Sequence, residues 1–261
     1  MSKIFKNMLP YWKSVIIIIA LLFIQAWCDL SLPAYTSNII DVGIQNNGVE
    51  HVVPVKMTRE EYELAQFIMT DEEIDTWNSI YEENGEYYEL QETSDKRLNE
   101  VDEELTLPLI MNYQMRAMEE DTFKQMLAQQ TLSIEQIGDM MHVQLTSFEQ
   151  EKEDTDGNKI IVNCVDVRPI FTAMLQSGAM DREQLLSMRD TMADTIDTMG
   201  SSLVKSMGIA YAVSVEKTAG VDIDHIQKSY LVTSGLKMVG MALLMGVVTV
   251  LVGFFASRVG A

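Results

Sequence analysis

Two apolar runs flank a long acidic segment, and no other feature constrains the fold as strongly. Residues 15–28 (VIIIIALLFIQAWC) hold one polar side chain, Gln25, and residues 238–256 (MVGMALLMGVVTVLVGFFA) hold only Thr249. The second run is 19 residues, roughly 28 Å of helix. That length matches a hydrocarbon core of roughly 30 Å. The first run is shorter. It reaches 19 residues only when extended from Ser14 to Leu32, which places Gln25, Asp29 and Ser31 inside it. Both runs are therefore predicted to be membrane-spanning helices, with the chain between them folding separately.

Charge follows the same division. Of 39 acidic residues, only Asp29 and Asp41 lie outside residues 46–227, while 13 of 19 basic residues lie inside. The middle segment thus carries a net charge near −24, which repels nucleic acid and anionic lipid. Nucleic acid is excluded as a partner. Cys28 and Cys164 are too few and too far apart for a disulfide framework or a C-x-x-C site, and read as two separate thiols.

A basic start followed by an apolar run also describes a secretory signal. The cleavage chemistry is missing, because no A-x-A-like pair follows the run. Bulky Trp27 before Cys28 argues against a lipoprotein-type site. Apolar residues also continue past the run at Leu32, Ile39, Ile40 and Ile44, as in a retained span that leaves the bilayer as an amphipathic rod. Lys3, Lys6 and Lys13 precede the first span, and Arg258 follows the second. The positive-inside bias then places both termini in the cytoplasm and residues 46–227 outside a plasma membrane. The expected fold class is a membrane α-helical protein with two transmembrane helices and an α+β, mainly helical, extracytoplasmic domain. Its parts are residues 1–45 (cytoplasmic start and first span), 46–227 (acidic insert) and 228–261 (second span).

Within the insert, Thr58-x-x-Glu61 and Thr70-x-x-Glu73 match capping boxes, and Gly85 is expected to end the second helix. Residues 92–104 (ETSDKRLNEVDEE) read as a mobile charged loop. Pro108 is expected to open a helix reaching about Gln130, and Ser133-x-x-Gln136 to start another ending near Met141. Residues 143–149 and 159–167 are β-rich and form a predicted hairpin, with Asp156-Gly157 as its turn. The string from Asp154 to Asn158 resembles a calcium loop only faintly, since a ligand position and the closing glutamate are absent. From Asp181 one long helix is expected, with Leu185, Met188, Met192, Ile196, Met199, Leu203 and Met207 as its apolar stripe and Gly200 as a weak point.

Fourteen of 19 methionines lie in the insert, and Met111, Met115 and Met118 share helical spacing. Thioethers suit Cu(I), but alternation with leucine and the lack of accompanying histidine favour adaptable packing. His51, His142 and His225 show no zinc-like spacing, so no metal is expected. No nucleophile–base pair, acid pair or G-x-x-x-x-G-K-[ST] is present, and the chain reads as non-enzymatic.

The stretch MLPYWKSVIIIIALLFIQAWCDLSLPAYTSNIIDVGI resembles the start of bacterial ABC exporters of the type-1 transmembrane-domain family. The matching residues are Leu9-Pro10-Tyr11, Leu32-Pro33 and Ile39-Ile40-Asp41-x-Gly43-Ile44. Val221-Asp222-Ile223-Asp224-x-Ile226-Gln227 with Tyr230, Gly235 and Met238 is similar to the family's lead-in to its second helix, and Ala256-Ser257-Arg258 to its cytoplasmic exit. The resemblance covers residues 8–45 and 220–261. The family usually joins these helices by a short loop, and continues into four more helices and a nucleotide-binding domain. The chain therefore resembles an N-terminal fragment, or a truncated product, carrying a large insert.

The resemblance implies the first two helices of an ATP-driven exporter. Its partners are then the lipid bilayer, the remaining helices and nucleotide-binding domain, and a second half-transporter in a homo- or heterodimer. ATP and magnesium are implied only for the missing nucleotide-binding domain, with no cofactor in this chain. The first two helices line the path in the family, which makes Gln25 and Asp29, four residues apart, the substrate-path candidates. The alternative for Asp29 is a place in the headgroup region. Gly235, Gly240, Gly246 and Gly253 are expected to let helices approach closely. Two other classes share this architecture: a two-span membrane sensor with an external ligand-binding domain, and an anchored structural domain.

Overall fold

The computed structural model describes residues 12–129, 131–153, 159–196 and 198–260. The chain is mostly helical with a small sheet component, and two of its helices are long and apolar enough to cross a membrane. It divides into two compact units, Met1–Val49 with Ile223–Ala261, and Glu50–Asp222.

The first unit is a helix pair. Helix α1, Trp12–Asn38, runs on as a π-helical turn, Ile39–Gln45. Its partner α10, Ile223–Gly260, has 38 residues and is about 57 Å long. Pro33 lies inside α1. It lacks the N–H that would bond the carbonyl of Asp29. Cys28 is fully buried in this pair, whereas Phe23, Trp27, Leu30, Leu236, Leu243 and Val250 are exposed. Apolar character all round marks a helix built for apolar surroundings.

The second unit begins with β1 (Lys56–Thr58), α2 (Arg59–Ala65), a 3-10 turn (Gln66–Ile68) and α3 (Asp71–Ile80). The capping box of Thr70 and Glu73 is complete. At Thr58 only half of it forms: the threonine oxygen accepts from the amide of Glu61, and the Glu61 side chain goes elsewhere. The second helix ends at Ile80 rather than at Gly85, which instead turns the hairpin of β2 (Tyr81–Asn84) and β3 (Tyr87–Leu90). Its φ of +67° explains the glycine. The strand order is β1-β3-β2, all antiparallel. Tyr62 stacks on Tyr88 at 3.6 Å between centroids, and buried Trp77 lies 4.7 Å from Tyr81.

The charged stretch 92–104 is not a loop. It forms the first half of α4, Asp95–Arg116, capped by Ser94. Leu98, Val101 and Leu105 recur at helical spacing and are buried, which fixes the helix against its neighbours. Pro108 does not open a helix but sits inside α4, buried. Neither does that helix reach Gln130. It stops at Arg116, and β4 (Met118–Glu119) and α5 (Glu120–Ala128) follow.

Helix α6, Ile134–Met141, has the complete Ser133–Gln136 box and ends at His142 in the left-handed region. A hairpin is present as β5 (Ser147–Glu153) and β6 (Lys159–Val165), in a sheet of order β4-β6-β5, but its first strand starts four residues later than expected, with 143–146 outside it. Its turn, with Asp156-Gly157 and the faint calcium string, lies outside the described residues.

After α7, Arg168–Ser177, the expected single long helix is two: α8, Arg182–Ile196, and α9, Ser201–Thr218. Gly200 is the extended N-cap of the second. The expected stripe is not buried as one face. Leu185 and Ile196 are buried, but Met188, Met199 and Leu203 are exposed. Met111 and Met115 pack with Phe67, Ile68 and Leu185, so these methionines fill core space. No disulfide joins Cys28 and Cys164, both of which are buried.

Candidate functional site

Two places in the molecule bring together residues with more than a packing role. The first is the end of the helix pair. Gln227 Nε2 donates to the carbonyl of Gly43 at 2.9 Å. A Cβ on Gly43 would lie 2.5 Å from Leu231 Cδ2, and one on Gly48 would lie 2.9 Å from Gln227 Cα. Gly48 also has φ of +80° and closes the π-helical turn by donating to Val42 O at 2.7 Å. Gly48 is thus required by close approach to backbone, whereas Gly43 faces a side chain that can shift. The apolar stripe, the π turn and the Asp41–Ser37 hydrogen bond (2.8 Å) together present this backbone to α10. The residues carrying the exporter resemblance, Ile39-Ile40-Asp41-x-Gly43-Ile44 and Ile226-Gln227 with Tyr230, thereby meet at one junction.

The contacts also fix the helices' relative register. Residues 43 and 48 of one arm meet 231 and 227 of the other, an antiparallel arrangement. Asp29 is 14 residues before Gly43, about 21 Å along α1. The same distance along α10 from Leu231 reaches about Met245, close to the middle of the apolar run 238–256. Asp29 is therefore level with the centre of that run and not with its end. It is exposed on the pair, and Gln25 is half-buried. By contrast, Gly235, Gly240, Gly246 and Gly253 leave open space where a side chain would stand. A Cβ on any of them would meet nothing within 4 Å, so the expected close packing at these glycines is not made within the pair.

The second place is a buried charge knot in the acidic unit. Arg168, 1% exposed, donates from Nη1 and Nη2 to the two oxygens of Glu61 at 2.6 and 2.9 Å. Its Nε and Nη2 also bond Asp166, at 3.0 and 2.7 Å. Tyr211 donates its hydroxyl to Glu61 at 2.9 Å, and Arg116 Nε lies 3.3 Å from the same carboxylate. Arg116 continues to Thr218 at 2.7 Å and to Ser214. Buried Asn112 bridges to the carbonyls of Ala65 and Pro108 at 2.9 and 3.1 Å.

Burial pushes the Glu61 carboxyl up, but the hydrogen bonds and charge of Arg168, with Arg116 and Tyr211, outweigh it and hold the group below its usual range. Burial and the Glu61 charge both push the Tyr211 hydroxyl up. Each of these polar side chains is engaged by the others, which leaves the knot no open coordination or substrate position. Its chemistry is that of a structural clasp joining α2, α4, α7 and α9.

Among the described residues no group of three or more His, Cys, Asp or Glu side chains is placed to hold a metal. His51 pairs with Asp102 at 2.9 Å, and Lys205 reaches the same carboxylate at 2.8 Å. Burial raises the Asp102 carboxyl, and His51, Lys205 and the Val52 amide together pull it below its usual value. The knot and this triad both escaped the sequence reading, which had no local signal for partners so far apart in the chain. No family model, curated protein or solved structure matches the chain.

Proposed function

We propose that this chain supplies the first two helices and an extracytoplasmic domain to the transmembrane unit of an ATP-driven exporter of the type-1 family. The observation that carries the reading is the junction of Gly43 and Gly48 with Gln227 and Leu231. It gives the family-like residues a shared physical task, fixing the outer ends of two spans against each other. The long apolar faces of α1 and α10 support burial in a bilayer. Lys3, Lys6 and Lys13 ahead of the first apolar run and Arg258 after the second support cytoplasmic ends, with the acidic unit on the other side.

Asp29 deepens this reading. A carboxylate at mid-bilayer costs a few kcal/mol and resides where protein or water faces it. On the isolated pair it is exposed, so further helices or a water-filled path must cover it. Gln25 one turn earlier and the carbonyl freed by Pro33 add polar groups at the same level. The notches at Gly240, Gly246 and Gly253 suit close approach by those further helices. The chain itself binds no nucleotide in this scheme.

A cysteine at Asp95 tests the topology. This residue is exposed at the start of α4, whereas the native Cys28 and Cys164 are fully buried. A membrane-impermeant maleimide is expected to label Asp95→Cys in spheroplasts without lysis, well above the native background. Labelling only after lysis reverses the topology and removes the exporter reading. Reading frame beyond Ala261 supplies the second test. Four further spans and a phosphate-binding loop are expected, and a histidine-kinase or coiled-coil region would instead make the chain a sensor.

A further inference from the structure

We propose that residues 50–55 form a proton-controlled strap, held to the acidic unit while Glu216 carries a proton and loosened when it ionises. This inference stands whether or not the chain belongs to an exporter. The strap leads from the helix pair's junction into β1. It has no regular secondary structure of its own; the His51–Asp102 pair, the backbone bond from the Leu90 amide to Val55 O at 2.9 Å and three further side-chain contacts tie it down. Asp102 Oδ1 accepts from the Val52 amide at 2.9 Å. Tyr81 donates its hydroxyl to the carbonyl of Pro54 at 2.7 Å, and Glu216 Oε1 accepts from the Val55 amide at 2.7 Å.

Of these three side-chain contacts, the first two are satisfied and the third is not. Glu216 is 1% exposed, and its Oε2 has no hydrogen-bond partner. A buried carboxylate needs several donors, and one amide is too few. Burial accordingly pushes this carboxyl up to about 7, with the Val55 amide pulling only weakly the other way.

Among the described residues none supplies a compensating cation to Glu216. Tyr81 from β2 is a buried hydroxyl, itself raised by burial first and then by neighbouring Tyr211 and Glu216. Lys56 of β1 pairs with Glu89. On α4, Asp102 is held by His51 and Lys205, and Arg116 by Glu61. Once ionised, Glu216 gains most from water, and the proposed route for water is lifting of the segment whose Val55 amide lies on Oε1. Val55 is 48% exposed while Val52 and Val53 are buried, so lifting starts at Val55, where it also has to break the Leu90–Val55 backbone bond.

The sign follows from linkage. The opened state takes the ordinary carboxyl value, 4.5, and the closed state about 7. Opening is therefore least favourable below the lower value, grows easier as pH rises between the two, and levels off above the upper one.

The test is hydrogen exchange on the full chain in detergent micelles, expressed as protection relative to the unfolded peptide. Between about pH 6 and about pH 8, opening of the peptide spanning residues 50–55 is expected to rise about tenfold. Glu216→Gln, which cannot ionise, should remove the rise. Any contribution from His51 would survive in that variant and so be separated. Tyr81→Phe, which retains Glu216, should raise exchange at every pH and keep the slope. A flat wild-type profile, an unchanged slope in Glu216→Gln, or loss of the slope in Tyr81→Phe would each overturn the proposal.

Discussion

Arg168→Met should destabilise the acidic unit by about 3–5 kcal/mol, the range for removing one partner of a buried ion pair. The loss arises mainly from what remains. Glu61 keeps Tyr211 and Arg116 but forfeits the bidentate fork, and Asp166 forfeits its bonds to the guanidinium and keeps only the one from the backbone amide. Methionine fills similar volume, so little of the effect comes from a cavity. Arg168→Lys should recover only part, because one ammonium cannot match two forks at once. The double variant Glu61→Gln with Arg168→Met should lose less than the sum of the singles, as expected for residues in one network.

The measurement is urea denaturation followed by the fluorescence of buried Trp77 in a background lacking Trp12 and Trp27. A loss below about 1 kcal/mol, typical of an exposed pair, would show that the clasp is not built as described. The clasp also has a pH signature. Glu61 is lowered in the folded state, so its stabilisation is present above the ordinary value of 4.5 and is lost as pH falls through the lower folded value. Arg168→Met should flatten that acid limb.

The features legible in the sequence were those set by neighbours along the chain. The two helices long enough to cross a membrane are legible from apolar length, and the boxes at Thr70 and Ser133 from residues three apart. The hairpin of β5 and β6 followed from β-rich runs on either side of a turn-rich string. What failed was whatever depended on partners far away. The stretch 92–104 looked disordered because its apolar residues are sparse and its charges many. Yet Leu98, Val101 and Leu105 suffice once neighbouring elements cover them, and Asp102 is neutralised by Lys205 and His51. Glu61 matched a capping box, but a guanidinium 107 residues away competes successfully for its carboxylate. Gly200 was visible as a weak point; its use as an N-cap required knowing that the two stripes face different neighbours. The same limit applies to the candidate path. Gln25 and Asp29 stood out as polar residues in an apolar run, but only the Gly43–Leu231 contact places Asp29 level with that run's centre.

Gly48→Val should separate the ends of the helix pair, and it is the substitution with the largest expected effect in that unit. Two independent penalties coincide. The residue has φ of +80°, where a β-branched side chain is strained, at a cost of roughly 1–2 kcal/mol. Its Cβ would also stand 2.9 Å from Gln227 Cα and 3.1 Å from the carbonyl oxygen of Ile226, which are backbone atoms of α10 and cannot swing aside. The helices must therefore part, and the bond from Gln227 to Gly43 is lost with them. Gly43→Ala meets chiefly Leu231 Cδ2, the tip of a flexible side chain, and should be milder. Gln227→Ala removes only the hydrogen bond, for about 1 kcal/mol. Thermal unfolding of the full chain in detergent should then rank the variants, with Gly48→Val lowest in melting temperature, Gly43→Ala intermediate and Gln227→Ala nearest the parent. The junction also holds the family-like motif, so a parent-like melting temperature for Gly48→Val would mean that the motif does not fix the spans together, and the observation carrying the exporter reading would go with it.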